Sequence, residues 1–307
     1  MDLANGALPK LIVVLGTNAS GKSALGVELA RELGGEVISA DSRQVFRGFD
    51  LSAGKVTPLE ARGIPHHLID IVDIVDRFSL NDWLVRAKQT IDRLDSEGKV
   101  PLVVGGTALY LDALVRGYLL TEVEPDIALR SRLESAPTSE VVSLLESLDP
   151  SAMDHIDRHN RPRLVRAIEQ ARAGVSYADS HRLEPSYNAT LLGVTHPPDV
   201  LRSRIHERLM ARIEAGMIGE VEEALADGVP IERLHQLGLE YRYLALHVMG
   251  DIPTEADLVR ELEKAIYRYS RRQMSFFRRF PNVHWLDPSA SLADEALSAL
   301  ASSDFPT

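Results

Sequence analysis

Gly16-Thr17-Asn18-Ala19-Ser20-Gly21-Lys22-Ser23 is the stretch on which the fold turns. It fits G-x-x-x-x-G-K-[ST], follows the apolar run Leu11 to Leu15 and opens the helical pattern Ala24 to Leu33, the strand-turn-helix context that the motif requires. Such a loop turns its backbone N–H groups and the next helix N-terminus onto a phosphate. Lys22 adds a point charge for the terminal phosphates, and the Ser23 hydroxyl can coordinate Mg²⁺. Residues Gly16 to Ser23 therefore predict a site for a pyrophosphate or larger group. The loop alone does not say whether that group belongs to ATP.

Outward from this loop, strand-length apolar runs at Leu11 to Leu15, Glu36 to Ser39, His67 to Ile71 and Val100 to Val104 alternate with helical patterns such as Leu80 to Leu94. That alternation predicts an α/β fold, a P-loop-type parallel sheet flanked by helices. Glycine usage then changes: of 20 glycines, only Gly174 falls between residues 118 and 192. Residues 121–189 read as an inserted helical domain, with 1–120 and 190–307 forming the catalytic core. Asn160 is a plausible N-cap, Pro162 sits in the first turn, Leu164, Ile168 and Ala171 form the stripe, and Gly174 ends the helix. Strand-like sequence resumes at Thr190 to Thr195 and ends at Val283 to Leu286, after a helical pattern from Glu255 to about Arg279. Residues 1–8 and 300–307 are expected to fray.

The composition removes whole classes of function. With no cysteine in 307 residues, disulfides, thiolate zinc sites, iron–sulfur clusters and a cysteine nucleophile are all excluded. The longest uncharged stretch, Pro185 to Pro198, is too short and too polar to span a bilayer. The first ten residues lack the pattern of a secretory signal, so the expected location is cytoplasmic, without membrane attachment.

Chemistry-bearing residues stand where the strands end. In a doubly wound sheet, strand C-termini face the ligand, which aims Asp41, after the second run, at the phosphates as a base or magnesium ligand; a helix cap is the competing role. Gly105-Gly106-Thr107 follows the fourth run, where two glycines permit close approach and Thr107 offers a hydroxyl, or simply an N-cap. Between residues 200 and 214, Leu201, Ile205 and Leu209 form a buried stripe, while Arg204 and Arg208 share another face and can serve a ligand or merely solvate the helix. His66 and His67 point to opposite sides of a strand with no further ligand at metal spacing, a structural pattern.

The formal charge of −11 hides two basic clusters. Residues 155–172 carry Arg158, Arg161, Arg163, Arg166 and Arg172 against Asp157 and Glu169. Residues 264–280 carry Lys264, Arg268, Arg271, Arg272, Arg278 and Arg279 with no acid. Concentrated positive charge on an otherwise acidic chain is the footprint of a polyanion groove.

The ordered succession GTNASGKS, ADSRQVF, GIPHHLID, VGGTALY, DHIDRHNRPRLVRAIE and RRQMSFFRR, from about Leu11 to Leu286, resembles the bacterial tRNA dimethylallyltransferases. The resemblance implies transfer of a dimethylallyl group from dimethylallyl pyrophosphate to N6 of adenosine 37 in tRNAs reading codons that begin with U. It implies Mg²⁺ as cofactor, the tRNA anticodon stem-loop as partner, and a monomer. By the same resemblance, Asp41, Thr107 and Arg208 serve catalysis; Asp41, Ser42, Arg43 and Gln44 contact the target adenosine; Thr107, Arg130, Arg163 and Arg166 contact RNA. The chemistry agrees: an adenine amine is a poor nucleophile and gains from a carboxylate that takes its proton, while pyrophosphate departs against cations. Four positions depart from the family pattern: Asn18 where proline or threonine is usual, Phe46 where tyrosine is usual, and Leu239-Glu240 where a tyrosine and a base follow Gly238. The acid at Glu240 puts the RNA contacts of that loop in question. Competing readings are a P-loop small-molecule kinase, a prenyltransferase acting on free adenine nucleotides, and a non-catalytic tRNA binder.

Overall fold

Leu11, Ile12, Val13, Val14 and Leu15 are all fully buried, which a strand achieves only when both faces and both edges are covered. The computed structural model, which describes residues 8–121, 123–180 and 182–303, shows how. Six parallel strands are ordered β3-β2-β4-β1-β5-β6: β1 (Lys10–Gly16), β2 (Gly35–Ser39), β3 (His66–His67), β4 (Val100–Gly105), β5 (Asn188–Val194) and β6 (Val283–Leu286). β1 pairs with β4 on one side and β5 on the other. The polypeptide divides into two compact units, one running up to Val115 and again from Tyr187, the other Arg116–Ser186. Of the ends expected to fray, residues 1–7 and 304–307 lie outside the described residues, whereas Leu300 is fully buried in the helix Leu292–Ser302.

In the sheet unit, alternate residues of β1 serve opposite faces. Ile12 and Val14 pack with Leu25 and Leu29 of the helix Lys22–Leu33 and with Ala296 and Leu300 of the helix Leu292–Ser302. A separate core joins the helices Pro198–Glu214, Leu239–Val248 and Glu255–Phe277 through Leu201, Ile205, Leu209, Leu244, Leu258 and Leu262. Phe46 belongs to that core, only 3% exposed, with the Arg233 guanidinium over its ring. The aromatic body is what this position uses, and a phenol oxygen here would have to find a partner.

The third strand is shorter than its apolar run suggests. Leu68 and Asp70 adopt positive φ (62° and 56°), which turns the chain out of the ladder after His67. Ile71 and Val72 pair instead with the loop after β2, through Ile71 N–H to the Val45 carbonyl at 2.8 Å and Arg47 N–H to the Val72 carbonyl at 2.9 Å. His67 Nε2 donates to the Glu36 carboxylate at 2.6 Å, and Lys99 reaches the same carboxylate at 2.6 Å. Both histidines have structural partners, and no group of three metal-ligating side chains occurs among the described residues. No helix among them is long and apolar enough to cross a membrane.

The Arg116–Ser186 unit is helical, with Leu129, Leu133, Val141, Leu145, Leu164 and Ile168 at its centre. Asn160 caps the helix Arg161–Arg172 by accepting from the Arg163 N–H, Pro162 lies in its first turn, and Gly174 follows with φ 79°.

At the strand ends, β2 and β4 approach so closely that a Cβ at Gly105 would fall 2.2 Å from the Ala40 carbonyl oxygen. Ala40 N–H donates to the Val104 carbonyl and Thr107 N–H donates to the Ala40 carbonyl, so this contact fixes both loops. Gly105→Ala should therefore cost about 1–3 kcal/mol, the range for overpacking a tight interior, measured by denaturant unfolding; an unchanged midpoint would show that the two loops are free to separate.

Candidate active site

The phosphate loop is built around unusual backbone. Ala19 and Gly21 have φ 60° and 96°, which curls the loop so that the helix Lys22–Leu33 starts beneath it. A Cβ at Gly16 would meet the Ser20 hydroxyl and the Val194 carbonyl, each at 2.6 Å. The hydroxyls of Thr17 and Ser20 are buried without a hydrogen-bond partner, a costly state for a polar group unless something else supplies the bond. Three outside side chains hold the loop: Arg204 Nε donates to the Ala19 carbonyl at 2.7 Å, His196 meets the Ser20 carbonyl at 2.8 Å, and Gln273 Oε1 accepts from the Asn18 N–H at 3.0 Å. The Gln273 amide donates onward to the Gly106 carbonyl at 2.8 Å, so one buried side chain ties the loops after β1 and β4 together.

Above these loops lies a cavity of about 400 Å³ lined by Asn18, Lys22, Ser23, Asp41 to Gln44, Thr107, Arg208 and Gln273. Asp41 does not cap a helix. Its Oδ1 accepts from the Arg43 N–H at 2.9 Å, and no donor among the described residues holds Oδ2. Thr107 is likewise more than a cap: its hydroxyl oxygen accepts from the Ser42 N–H at 3.0 Å and thereby fixes the Asp41 turn from across the sheet. Gln44 donates to the Gly54 carbonyl and accepts from the Ser39 hydroxyl. The Arg43 guanidinium lies against the bare α-carbon of Gly238, whose φ of 118° suits glycine alone.

The cavity is strongly cationic. Lys22 has its pKa pulled down to about 8 by burial and by the nearby Arg208, with Asp41 acting in the opposite sense. Arg208 exposes its surface to the cavity, donates to the Gly54 carbonyl at 3.3 Å and is lowered by desolvation. Arg212, one turn on, is lowered to about 10 by desolvation and by Arg208 and stays charged at neutral pH. Glu240 also lines the cavity, and burial pushes its carboxyl up while Arg212 opposes that shift.

Most residues expected from sequence thus meet at one place, but three do not. Arg130, Arg163 and Arg166 belong to the helical unit. There Arg130 makes a bidentate pair with the buried carboxylate of Glu169 at 2.7 and 2.8 Å, and Arg166 joins the same carboxylate at 3.2 Å and the Val123 carbonyl at 2.8 Å. Arg163 is exposed and in no ion pair among the described residues. Arg204, which helix spacing leaves open between ligand and solvent, braces the phosphate loop. Sequence reasoning missed Arg212 and Gln273. Arg212 stands four residues after Arg208, on the same helix face, and that spacing was the available signal. Gln273 sits inside the run RRQ, where the flanking arginines conceal an inward-facing residue.

The IPP transferase family model matches residues 44–280. Similar proteins include tRNA dimethylallyltransferase 1 of Hahella chejuensis, 43% identical over 94% of this chain and 95% of that one, and tRNA dimethylallyltransferase 2 of Shewanella sediminis, 40% identical over 95% and 97%. The crystal structure of a tRNA isopentenylpyrophosphate transferase from Bacillus halodurans superposes with TM-score 0.70 at 31% identity, over 95% of this chain and 97% of that chain. A eukaryotic dimethylallyltransferase acting on tRNA shares the fold, with TM-score 0.82 at 23% identity over 97% and 80%.

The pKa of Lys22 carries a pH prediction. The ammonium form binds anions, and in the free site it is lost above about pH 8. Between pH 7 and 9.5 a pyrophosphate ligand only gains negative charge, so a falling affinity must come from the protein. The dissociation constant for inorganic pyrophosphate should be level to pH 8 and then rise toward about tenfold per pH unit, read by calorimetry. Lys22→Arg should remove the break; a parent profile without one would place the Lys22 ionisation elsewhere.

Proposed function

The chain belongs to the IPP transferase family, and on that premise we propose that its cavity moves a dimethylallyl group from dimethylallyl pyrophosphate to N6 of adenosine 37, beside the anticodon of tRNAs reading U-initial codons. The activity class, tRNA dimethylallyltransferase, follows from the relatives; the donor, the target nucleotide and the residue roles are our reading. The observation that carries it is Asp41, a carboxylate with one oxygen fixed and one open, in the same cavity as Lys22, Ser23 and Arg208.

In this reading the adenine amine attacks C1 of the donor, the C1–O bond breaks, pyrophosphate leaves with the bonding pair, and Asp41 takes the proton that N6 gives up. Adenine's amine lone pair is delocalised into the ring, so removing its proton as the N–C bond forms lowers the barrier. The backbone N–H groups of the loop, Lys22 and Arg208 stabilise charge that grows on the pyrophosphate. The orphaned Thr17 and Ser20 hydroxyls support a phosphate-bearing loop. The donor set suits Mg²⁺, which keeps water and phosphate oxygens in its shell and needs few protein ligands: Ser23 would hold it, leaving Asp41 free to act as the base. When bound, the ion neutralises charge on the leaving group.

A second cavity, of about 430 Å³, shares Ser23, Gly54 and Arg208 with the first and adds Val27, Val56 and Leu59. Ser23 of the phosphate loop thus borders both cavities, and in this reading the donor and a loop nucleotide approach separately. An unpaired anticodon-loop base is also cheaper to extrude than a paired one. A kinase would require ATP; transfer here should proceed with dimethylallyl pyrophosphate, Mg²⁺ and an anticodon stem-loop alone.

Two outcomes follow. Asp41→Asn should retain pyrophosphate and stem-loop binding while turnover falls by about 10² to 10⁴, followed by mass spectrometry of the tRNA nucleosides; near-normal turnover, or a strict need for ATP, would defeat the proposal. In the helical unit, Arg163 is exposed on the helix Arg161–Arg172 and its head group is in no ion pair among the described residues. Arg163→Ala should lower the slope of log K for tRNA against log salt by about 0.7, one counterion on single-stranded RNA, and leave the donor KM unchanged. An unaltered slope would remove Arg163 from the RNA contact.

A further inference from the structure

Arg212 and Glu240 are charged side chains of the cavity with no role in the mechanism above. Arg212 lies on the helix Pro198–Glu214, one turn beyond Arg208. A Cβ at Gly54 would fall 2.5 Å from Arg212 Cζ and 2.9 Å from Arg208 Nη2, with Arg212 Nη2 nearer still at 1.6 Å. Both guanidinium groups therefore rest on one bare α-carbon. The turn beneath them is fixed: Glu220 accepts from the N–H groups of Leu51 and Ser52 at 2.7 and 2.8 Å and from the Ser52 hydroxyl at 2.8 Å. Arg208 has the Gly54 carbonyl as acceptor. Arg212 donates no hydrogen bond and forms no ion pair among the described residues, although its head group lines the cavity.

Two like charges held together by a rigid seat, one with no acceptor, form an anion site. A guanidinium offers five donors and suits phosphate oxygens. Glu240 opens the helix Leu239–Val248 and lines both the main cavity and a small adjoining one, with Arg208, Arg212, Asn18 and Ala19. It is in no ion pair among the described residues, so its carboxylate acts on the pair through space. The neighbouring Leu239 lines the same cavity and also packs against the core of these helices, so Glu240 is the charged residue of that dipeptide at the site.

We propose that Arg212 is a second guanidinium for the pyrophosphate and that Glu240 is the counter-charge limiting how tightly that group is held. This rests on the reading of the cavity as a prenyl pyrophosphate site. In the free protein Glu240 offsets repulsion between the two arginines. During transfer, negative charge moves onto the pyrophosphate, and Arg212 meets it there. Once C1 has left, the product carries more charge than the bound donor, and the same carboxylate then repels it. Arg212 supplies grip and Glu240 supplies release.

The test uses the full-length protein with Mg²⁺ and inorganic pyrophosphate, as ligand in calorimetry and as product inhibitor in turnover. Arg212→Met should weaken pyrophosphate binding about 10- to 100-fold, the loss expected for hydrogen bonds from a charged group, and Arg212→Lys should restore part of it. Glu240→Gln should tighten binding about tenfold, the opposite sign, and lower kcat as release slows. Gly54→Ala keeps every charge but takes the seat that Arg212 shares with Arg208, so it should weaken binding several-fold, and it keeps the idea testable if Arg212→Met does not fold. Affinity for the anticodon stem-loop should not move in any of them. Unchanged pyrophosphate affinity in Arg212→Met and Gly54→Ala, weaker affinity in Glu240→Gln, or a shift in RNA affinity in place of pyrophosphate affinity would overturn the assignment. Failure of the parent protein to bind pyrophosphate would instead sink the underlying reading of the cavity.

Discussion

Like charge held together is the constraint around which the sheet unit is arranged. Lys22, Arg208 and Arg212 face one cavity; both arginines lower the proton affinity of Lys22, and Arg208 lowers that of Arg212. Such a cluster repels itself and survives only if the backbone beneath it cannot yield. The phosphate loop is braced from outside by Arg204, His196 and Gln273, and the Gly54 turn by Glu220. The hydrophobic layers do the holding, since the helix carrying both arginines is fastened by Leu201, Ile205 and Leu209.

Much of this was legible from residue order. The octet Gly16 to Ser23 specified strand, loop and helix together because its chemistry requires that context, and the runs after it carried the period of a covered parallel sheet. Asp41 and Thr107 were legible as strand-end residues, since parallel topology brings all such ends to one edge. Their mutual support was not, because the bond from Ser42 N–H to the Thr107 hydroxyl joins residues far apart in sequence. The third strand was overread for a local reason: the apolar run His67 to Ile71 has strand composition, but positive φ at Leu68 and Asp70 leaves no mark in hydropathy. Arg212 escaped because charge on a helix normally means solvent, and only a glycine on a distant turn makes room for it.

In the helical unit, charge counting gave the right density of arginine but could not say which head groups are free. Glu169, with a side chain 1% exposed, gathers both Arg130 and Arg166. Removing one partner of such a pair leaves a buried charge behind, so an effect of Arg130 or Arg166 variants on RNA would mix lost contacts with a disturbed fold. Arg161 is similarly occupied, donating to the Ala136 carbonyl at 2.8 Å and the Thr138 hydroxyl at 2.9 Å. The basic stripe is in part internal scaffolding, and Arg158 and Arg163 are members whose head groups are in no ion pair among the described residues.

The position of β1 at the middle of the sheet also sets an order of events during synthesis. Its partners are β4 and β5, and β5 begins only after the whole Arg116–Ser186 unit has been made. The ribosome therefore releases the most apolar strand of the chain long before one of its edges can be covered, whereas the helical unit, whose contacts are local, can close as soon as it emerges. Until Asn188–Val194 is translated, β1 presents an open edge, and the phosphate loop that follows it lacks the Val194 carbonyl against which Gly16 is packed.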